Sequence, residues 1–220
     1  MFNHFQNFNY FWKMQFFDFH HHQPQKFGIY NLNLNEELPD FPFSAGIHPK
    51  DIDDNFDYNF DRIKTISQHE NCFAIGECGL DGMIGINKNL QEKIFTQHIL
   101  WTNEIRKPVI IHCVRKFSEL LKFNKISEVP LIIHGFNKKQ TIANEMLKNG
   151  FYLSFGKAVL QNVSLQQTVK DFPLEKMFLE TDDADFDIKI LYEKVSELKQ
   201  ISIENLDSQI LENLNNIRSL

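Results

Sequence analysis

The stretch NCFAIGECGLDGMIGINKNLQEKIFTQHILWTNEIRKPVIIHC, residues 71–113, decides the fold. Two apolar runs, Cys72–Glu77 and Val109–Cys113, bracket a segment in which Leu90, Ile94, His98, Trp101 and Ile105 recur every three or four residues. The runs have the length and residue types of buried strands, and the segment between them carries one apolar helical stripe that Pro108 stops. Strand, helix and strand in this order form a βα unit of a parallel sheet.

The same alternation continues outward on both sides. Candidate strands lie at Gln15–His20, Phe27–Leu32, Phe43–Ile47, Cys72–Glu77, Val109–Cys113, Leu131–His134, Phe151–Phe155 and Met177–Thr181. Phe117, Leu120 and Leu121 mark a helix after the fifth strand. Ile142, Ala143, Met146 and Leu147 mark the next, with Gly150 placed to end it. Ile188, Leu191, Tyr192, Val195 and Leu198 form a further stripe, and Ile203, Leu206, Ile210, Leu214 and Ile217 another after a break near Ser202. Pro24 and a short spacer leave no room for a normal helix between the first two strands. The pattern predicts an α/β chain folded as a single-domain TIM-type (β/α)8 barrel.

At 220 residues the chain suits one domain, taken here as 14–220. Residues 1–13 are aromatic and Asn-rich without a helical or strand period, and read as an N-terminal extension that is either mobile or an artefact of the start site. The 22 Phe are many for this length and say nothing by themselves about function. A net charge of −6 excludes a protein that coats nucleic acid through general positive charge, while leaving room for a basic rim at a site. Cys72, Cys78 and Cys113 lie in apolar runs without C-x-x-C spacing, which predicts buried, reduced thiols and a cytoplasmic protein. No run reaches the roughly 18 apolar residues of a membrane helix, and no obligate protein partner is expected.

Imidazoles and carboxylates recur where the strands end, the place where barrel enzymes carry their chemistry. His20 and His22 are two residues apart, so both point toward the barrel axis. Alternation likewise turns Glu77, His112 and His134 inward, and Asp182 follows the last strand. Any one of these histidines could be a hydrogen-bonded structural residue. Four imidazoles and two carboxylates buried together would leave unpaired charge at a cost of several kcal/mol, which a cation relieves. Nitrogen and oxygen donors suit Zn²⁺, Mn²⁺ or Mg²⁺, and six exceed the needs of one catalytic ion. The natural division places two divalent metal ions on either side of a bridging Glu77, with His20, His22 and Asp182 on one and His112 and His134 on the other. Such a pair, about 3.5–4 Å apart, serves phosphoryl displacement by water.

The motifs FDFHHHQ (17–23), SAGIHPKDI (44–52), AIGECGLD (74–81), PVIIHC (108–113), IIHGF (132–136), GFYLSFG (150–156) and LETDDAD (179–185) follow in an order that resembles the TatD-type metal-dependent deoxyribonucleases of the amidohydrolase-like barrel superfamily. The resemblance runs from Met14 to the C-terminus. It implies a distorted barrel, hydrolysis of DNA or an oligonucleotide from an end, and metal ligation by the same six residues. It also implies that His48 lies beside the substrate phosphate, and that Asp182 and Glu77 are catalytic, Asp182 taking the proton of the attacking water. The structural alternative for His48 is a residue that supports the strand end. The sequence departs from the family in the missing helix after the first strand, in Val114 where many members carry Arg, and in Asp183, Asp185 and Asp187 leading directly into the last helices. Lys50, Arg115, Lys138, Lys139 and Lys157 each follow a strand end and are candidates for a basic rim, Arg115 foremost because guanidinium binds phosphate bidentately. Two other functions are weighed against the nuclease. An amidohydrolase acting on a small amide or ester would commonly bridge its metals with a carboxylated Lys, which the fifth strand lacks. A non-catalytic binding module would have little reason to keep all six ligands.

Overall fold

The structure, a computed structural model, describes residues 15–53 and 55–218; the expected N-terminal extension lies outside them. Eight parallel strands stand side by side in chain order: β1 (Asp18–His21), β2 (Gly28–Asn31), β3 (Phe43–Ala45), β4 (Cys72–Asp81), β5 (Val109–Val114), β6 (Leu131–Ile133), β7 (Tyr152–Phe155) and β8 (Met177–Leu179). Each falls within or against the predicted run. β4 alone continues well past its expected end, from Glu77 to Asp81.

The helices are α1 (Phe56–Ile66), α2 (Lys88–Ile105), α3 (Phe117–Asn124), α4 (Gln140–Lys148), α5 (Val163–Asp171), α6 (Ile188–Lys199) and α7 (Ile203–Arg218). The central helix α2 begins where Asn87 accepts hydrogen bonds from the Asn89 and Leu90 amides, and ends at Arg106 in the left-handed region. α6 starts in the same way on Asp187, which accepts from the Lys189 amide. As anticipated, no helix follows β1 among the described residues; none follows β2 either, which the sequence reading did not foresee. The distortion of the barrel lies there. Helices α1 and α5 were not foreseen: their buried faces, Phe60, Ile63 and Ile66, and Leu165, Thr168 and Val169, are thin stripes diluted by polar neighbours.

Closure occurs at the seam between β8 and β1. Asp182 bridges to His21: the Asp182 amide donates to the His20 carbonyl at 2.9 Å and the His22 amide donates to the Asp182 carbonyl at 3.3 Å. Below this bridge the Asp18 carboxylate accepts from the Thr181 amide at 2.8 Å and from its hydroxyl at 2.6 Å. The Tyr192 hydroxyl ties α6 to the Phe17 carbonyl at 2.9 Å, and Phe19 stacks on Phe178 with ring centroids 4.1 Å apart. Phe19, Phe43, Phe95, Phe123, Phe136, Phe151, Phe155, Phe172 and Phe178 are all fully buried, which gives the high Phe content its physical meaning: aromatic volume fills the core. Cys72 and Cys78 are buried free thiols; Cys113, expected to be buried as well, is only partly covered. No helix of the described residues is long and apolar enough to cross a membrane.

Candidate metal centre

The close approach of β4 to β5 sets the floor of the site. A Cβ at Gly76 would stand 2.3 Å from the Ile110 carbonyl oxygen, and one at Gly79 would stand 2.1 Å from that of His112, with φ of +145° and +146°. Only glycine fits both demands, so the G-E-C-G segment exists to press Glu77 against the fifth strand.

Glu77 lies at the centre, almost fully buried. Its Oε2 faces His20 Nε2 at 3.6 Å and His22 Nε2 at 3.9 Å. Its Oε1 faces His112 Nδ1 and His134 Nε2, each at 2.8 Å, and His48 Nε2 at 3.4 Å. Asp182 stands on the Oε2 side, with Oδ1 3.3 Å from His22 Nε2 and 3.7 Å from His20 Nε2. All six predicted ligands therefore converge, and His48 joins them. His48 Nδ1 accepts from the Lys50 amide at 2.9 Å, which leaves the proton on Nε2 and aims an N–H at the centre. Arg115 does not join the cluster. Its backbone turns out of β5 at φ 56°, and its side chain is exposed on the rim. Lys50, Lys139 and Lys157 are also exposed and Lys138 partly so, on the loops that follow β3, β6 and β7. Among the described residues none of these five cations makes an ion pair.

Three participants were not anticipated. Asp81 Oδ2 lies 3.1 Å from His112 Nε2, and Glu180, fully buried, places Oε1 3.5 Å from His134 Nδ1 and 2.5 Å from the Gly135 amide that donates to it. Asn31 donates to Glu77 Oε2 at 3.4 Å and accepts from the Glu77 amide at 3.2 Å. A signal existed for the two carboxylates. Asp81 shares the period-two face of Glu77, and Glu180 shares that of Asp182.

The electrostatics favour ionised carboxylates. Burial alone would raise Glu77, but the positive charge of His134 and the hydrogen bonds from His112 and His134, with the His20 ring close by, outweigh it and hold the carboxyl far below its usual range. Asp182 is likewise pushed down to about 2, because the hydrogen bond to His22 and the charges of His134 and His20 overcome its burial. His22 is raised, chiefly by its hydrogen bond to Asp182. Burial opposes a proton on His134, yet the charge of Glu77 and the contacts to Glu180 and Glu77 raise it well above the ordinary imidazole value.

Protons thus balance charge that a cation can balance instead. The donor spacing fits one. His20 is fully buried and neither ring nitrogen has a hydrogen-bond partner, while Nε2 stands 3.6–3.7 Å from two carboxylate oxygens. Donors about 2 Å from a shared ion lie roughly 3–3.5 Å apart, so this gap is long for a hydrogen bond and close to right for joint ligation. Four triads bring one donor atom each to within 4.8 Å of one another: His20, Glu77 and His134; His20, His22 and Asp182; His48, Glu77 and His112; and His134, Glu180 and Asp182.

The family model described as TatD related DNase matches residues 21–218. The protein named uncharacterized metal-dependent hydrolase YabD, of Bacillus subtilis, is 31% identical over 202 residues, which cover 83% of this chain and 79% of that protein. The 3'-5' ssDNA/RNA exonuclease TatD of Cronobacter sakazakii is 28% identical over 150 residues, covering 63% of this chain but only 56% of its own length. Among solved structures, the TatD homolog YJJV of Escherichia coli K12 superposes with a TM-score of 0.74 at 17% identity, over 94% of this chain and 98% of the other, which establishes a shared fold.

Proposed function

The chain belongs to the TatD related DNase family of metal-dependent hydrolases, and on that premise we propose that it hydrolyses phosphodiester bonds of DNA from a strand end, using two divalent ions. One observation carries the reading: the two oxygens of Glu77 serve different sets of imidazoles, His20 and His22 on one side, His112 and His134 on the other. A bridging carboxylate needs that division. His20, His22 and Asp182 would hold one ion, and His112 and His134 the other; Zn²⁺, Mn²⁺ or Mg²⁺ suits these donors.

Bound ions of this class activate water and neutralise charge on the phosphoryl oxygens. The remaining work falls to the side chains. Asp182 is the carboxylate open to the mouth, with 36% of its side chain exposed against 7% for Glu77, so it is the one placed to take a proton from the attacking water. Its left-handed backbone, φ 54°, turns the carboxylate back over the seam. His48 offers its Nε2 proton to a non-bridging phosphate oxygen, because the Lys50 amide occupies the other nitrogen. Arg115, unpaired at the rim, can clamp the next phosphate bidentately, with Lys50, Lys138, Lys139 and Lys157 supplying local positive charge that the overall −6 does not. The exonuclease name of the Cronobacter relative supports an oligonucleotide as the partner. The lack of a Lys on β5 supports phosphoryl rather than amide chemistry. Three free thiols fit a reducing compartment, which we take to be the cytoplasm.

The test uses protein stripped of metal and reloaded with Mg²⁺, Mn²⁺ or Zn²⁺, with end-labelled single- and double-stranded DNA beside a panel of amides and esters. We expect a metal-dependent ladder of shortened DNA, slowed roughly 100-fold or more by Asp182→Asn and abolished with Glu77→Gln. DNA left intact under every ion, or cut equally by the variants, overturns the proposal.

A further inference from the structure

We propose that Asp81 and Glu180 are positioning residues that hold His112 and His134, so that the cation site on the Oε1 side of Glu77 is the tighter of the two and fills first. This rests on the two-ion reading above. Each of these histidines turns one nitrogen toward Glu77 and the other toward a carboxylate: His112 Nε2 to Asp81 at 3.1 Å, and His134 Nδ1 to Glu180 at 3.5 Å. Asp81 accepts a hydrogen bond from the Nε2–H of His112, and Glu180 faces Nδ1 of His134 at the longer distance of a charge contact, so each ring keeps its N–H on the carboxylate side and presents the lone pair of the opposite nitrogen to the ion. The two rings consequently offer different atoms, His112 its Nδ1 and His134 its Nε2.

Both carboxylates are themselves anchored. Asp81 Oδ1 accepts from the Met83 amide at 2.7 Å, while its own amide donates to Gln91 Oε1 at 2.8 Å; Gln91 Nε2 donates back to the Asp81 carbonyl at 3.1 Å and to that of Ile86 at 3.0 Å. The first turn of α2 therefore braces His112 through Asp81. Glu180 is fully buried and pinned by the Gly135 amide, which follows His134 directly.

The opposite lobe has no carboxylate behind its imidazoles among the described residues: both His20 and His22 meet carboxylates through Nε2 alone, and His22 is 39% exposed beside a partly exposed Asp182. Ligands ordered during folding lose less freedom when an ion arrives, so the braced lobe binds more tightly than the unbraced one. The advantage of Asp182 as a charged ligand on the loose side is matched by two carboxylates behind the imidazoles on the other.

The experiment is calorimetric titration of the full, metal-stripped chain with Zn²⁺, with bound zinc counted by elemental analysis after dialysis at fixed free Zn²⁺. The wild type is expected to take two ions with separable affinities. Asp81→Asn and Glu180→Gln, near-isosteric changes, should weaken the first event by roughly 10- to 100-fold, whereas His22→Ala should weaken only the second. Circular dichroism and thermal melting verify that each variant is folded. If Glu180→Gln does not fold, Asp81→Asn decides alone, because its amide can still accept from Met83. Wild-type affinity for the first ion in Asp81→Asn, or a first event weakened by His22→Ala, overturns the inference and leaves the two-ion reading intact. A wild type that binds no stoichiometric zinc, manganese or magnesium overturns the two-ion reading itself.

Discussion

His98 is a buried switch of stability, and its effect can be worked from the structure. It sits inside α2 with Nδ1 2.8 Å from the Ile94 carbonyl, to which it donates, so Nε2 is the free acceptor and takes the Ile47 amide at 3.2 Å. That bond spans from a helix to the segment just after β3, one residue before His48. Burial in the apolar layer, only partly offset by the Ile94 hydrogen bond, lowers the imidazole from 6.5 to about 4. An unfolded chain takes up the proton near pH 6.5 and the folded chain only near 4, so between these values the unfolded state binds more protons and stability falls as pH falls. The drop corresponds to about 3 kcal/mol, fully lost below pH 4. Replacing His98 with Gln removes the titration while keeping an amide oxygen for the Ile47 N–H. Urea unfolding of both proteins from pH 7.5 to 4 should give a wild-type minus variant difference that shrinks by about 3 kcal/mol over this interval. Other titrating groups are common to both proteins and cancel in the difference. Parallel curves would refute the assignment of a neutral, accepting His98.

Two further outcomes follow from burial and close approach. Asp207 in α7 is raised to about 6 by burial, and its Oδ1 lacks a hydrogen-bond partner; a carboxyl raised in the folded state costs stability as pH climbs from about 4 to 6 and beyond. Asp207→Asn should leave stability unchanged at pH 4 and raise it at pH 7.5 by on the order of 1 kcal/mol after allowance for solvent screening, read from the same urea curves. Gly79→Ala should be far more damaging than its size suggests. The added methyl meets the His112 carbonyl oxygen at 2.1 Å in a backbone region reserved for glycine, so β4 must move from β5. We expect a loss of a few kcal/mol in unfolding free energy together with weakened metal binding, and a variant that melts and binds like the wild type would show that the strands have slack.

Where side-chain alternation along one strand was enough, the sequence could be read directly. His20, His22, Glu77 and His112 each follow from period two on a single run of residues, and the eightfold βα order brings those runs to one layer. Reading became harder wherever a role depends on a neighbour distant in the chain. Asp81 lies on the correct face, but the apolar run of the fourth strand reads as ending at Glu77, and the meaning of Asp81 as a brace exists only once β5 places His112 beside it. Glu180 looks like one more strand residue until Gly135 arrives from β6. His98 fits a helical stripe as well as any apolar residue, and only the Ile47 amide reveals it as an acceptor. Likewise α1 and α5 bury few residues each, so tertiary packing rather than periodicity makes them helices.

Barrel closure and assembly of the site are one structural event. His20 and His22 come from the first strand and Asp182 from the turn after the last, and they meet only because Asp182 bonds the backbone on both sides of His21. The buried clamp of Asp18 on Thr181 sets the height of that bridge, since Thr181 is the residue immediately before Asp182. Lys26, on the short connection that replaces the missing helix, donates to the Thr181 hydroxyl at 2.8 Å. The shortened β1–β2 link therefore does more than omit a helix: it brings a cation back across the seam to brace the residue that positions Asp182. An ion shared by His20, His22 and Asp182 would join the two ends of the sheet through side chains as the bridge joins them through backbone, so binding at that lobe and closing of the barrel favour each other.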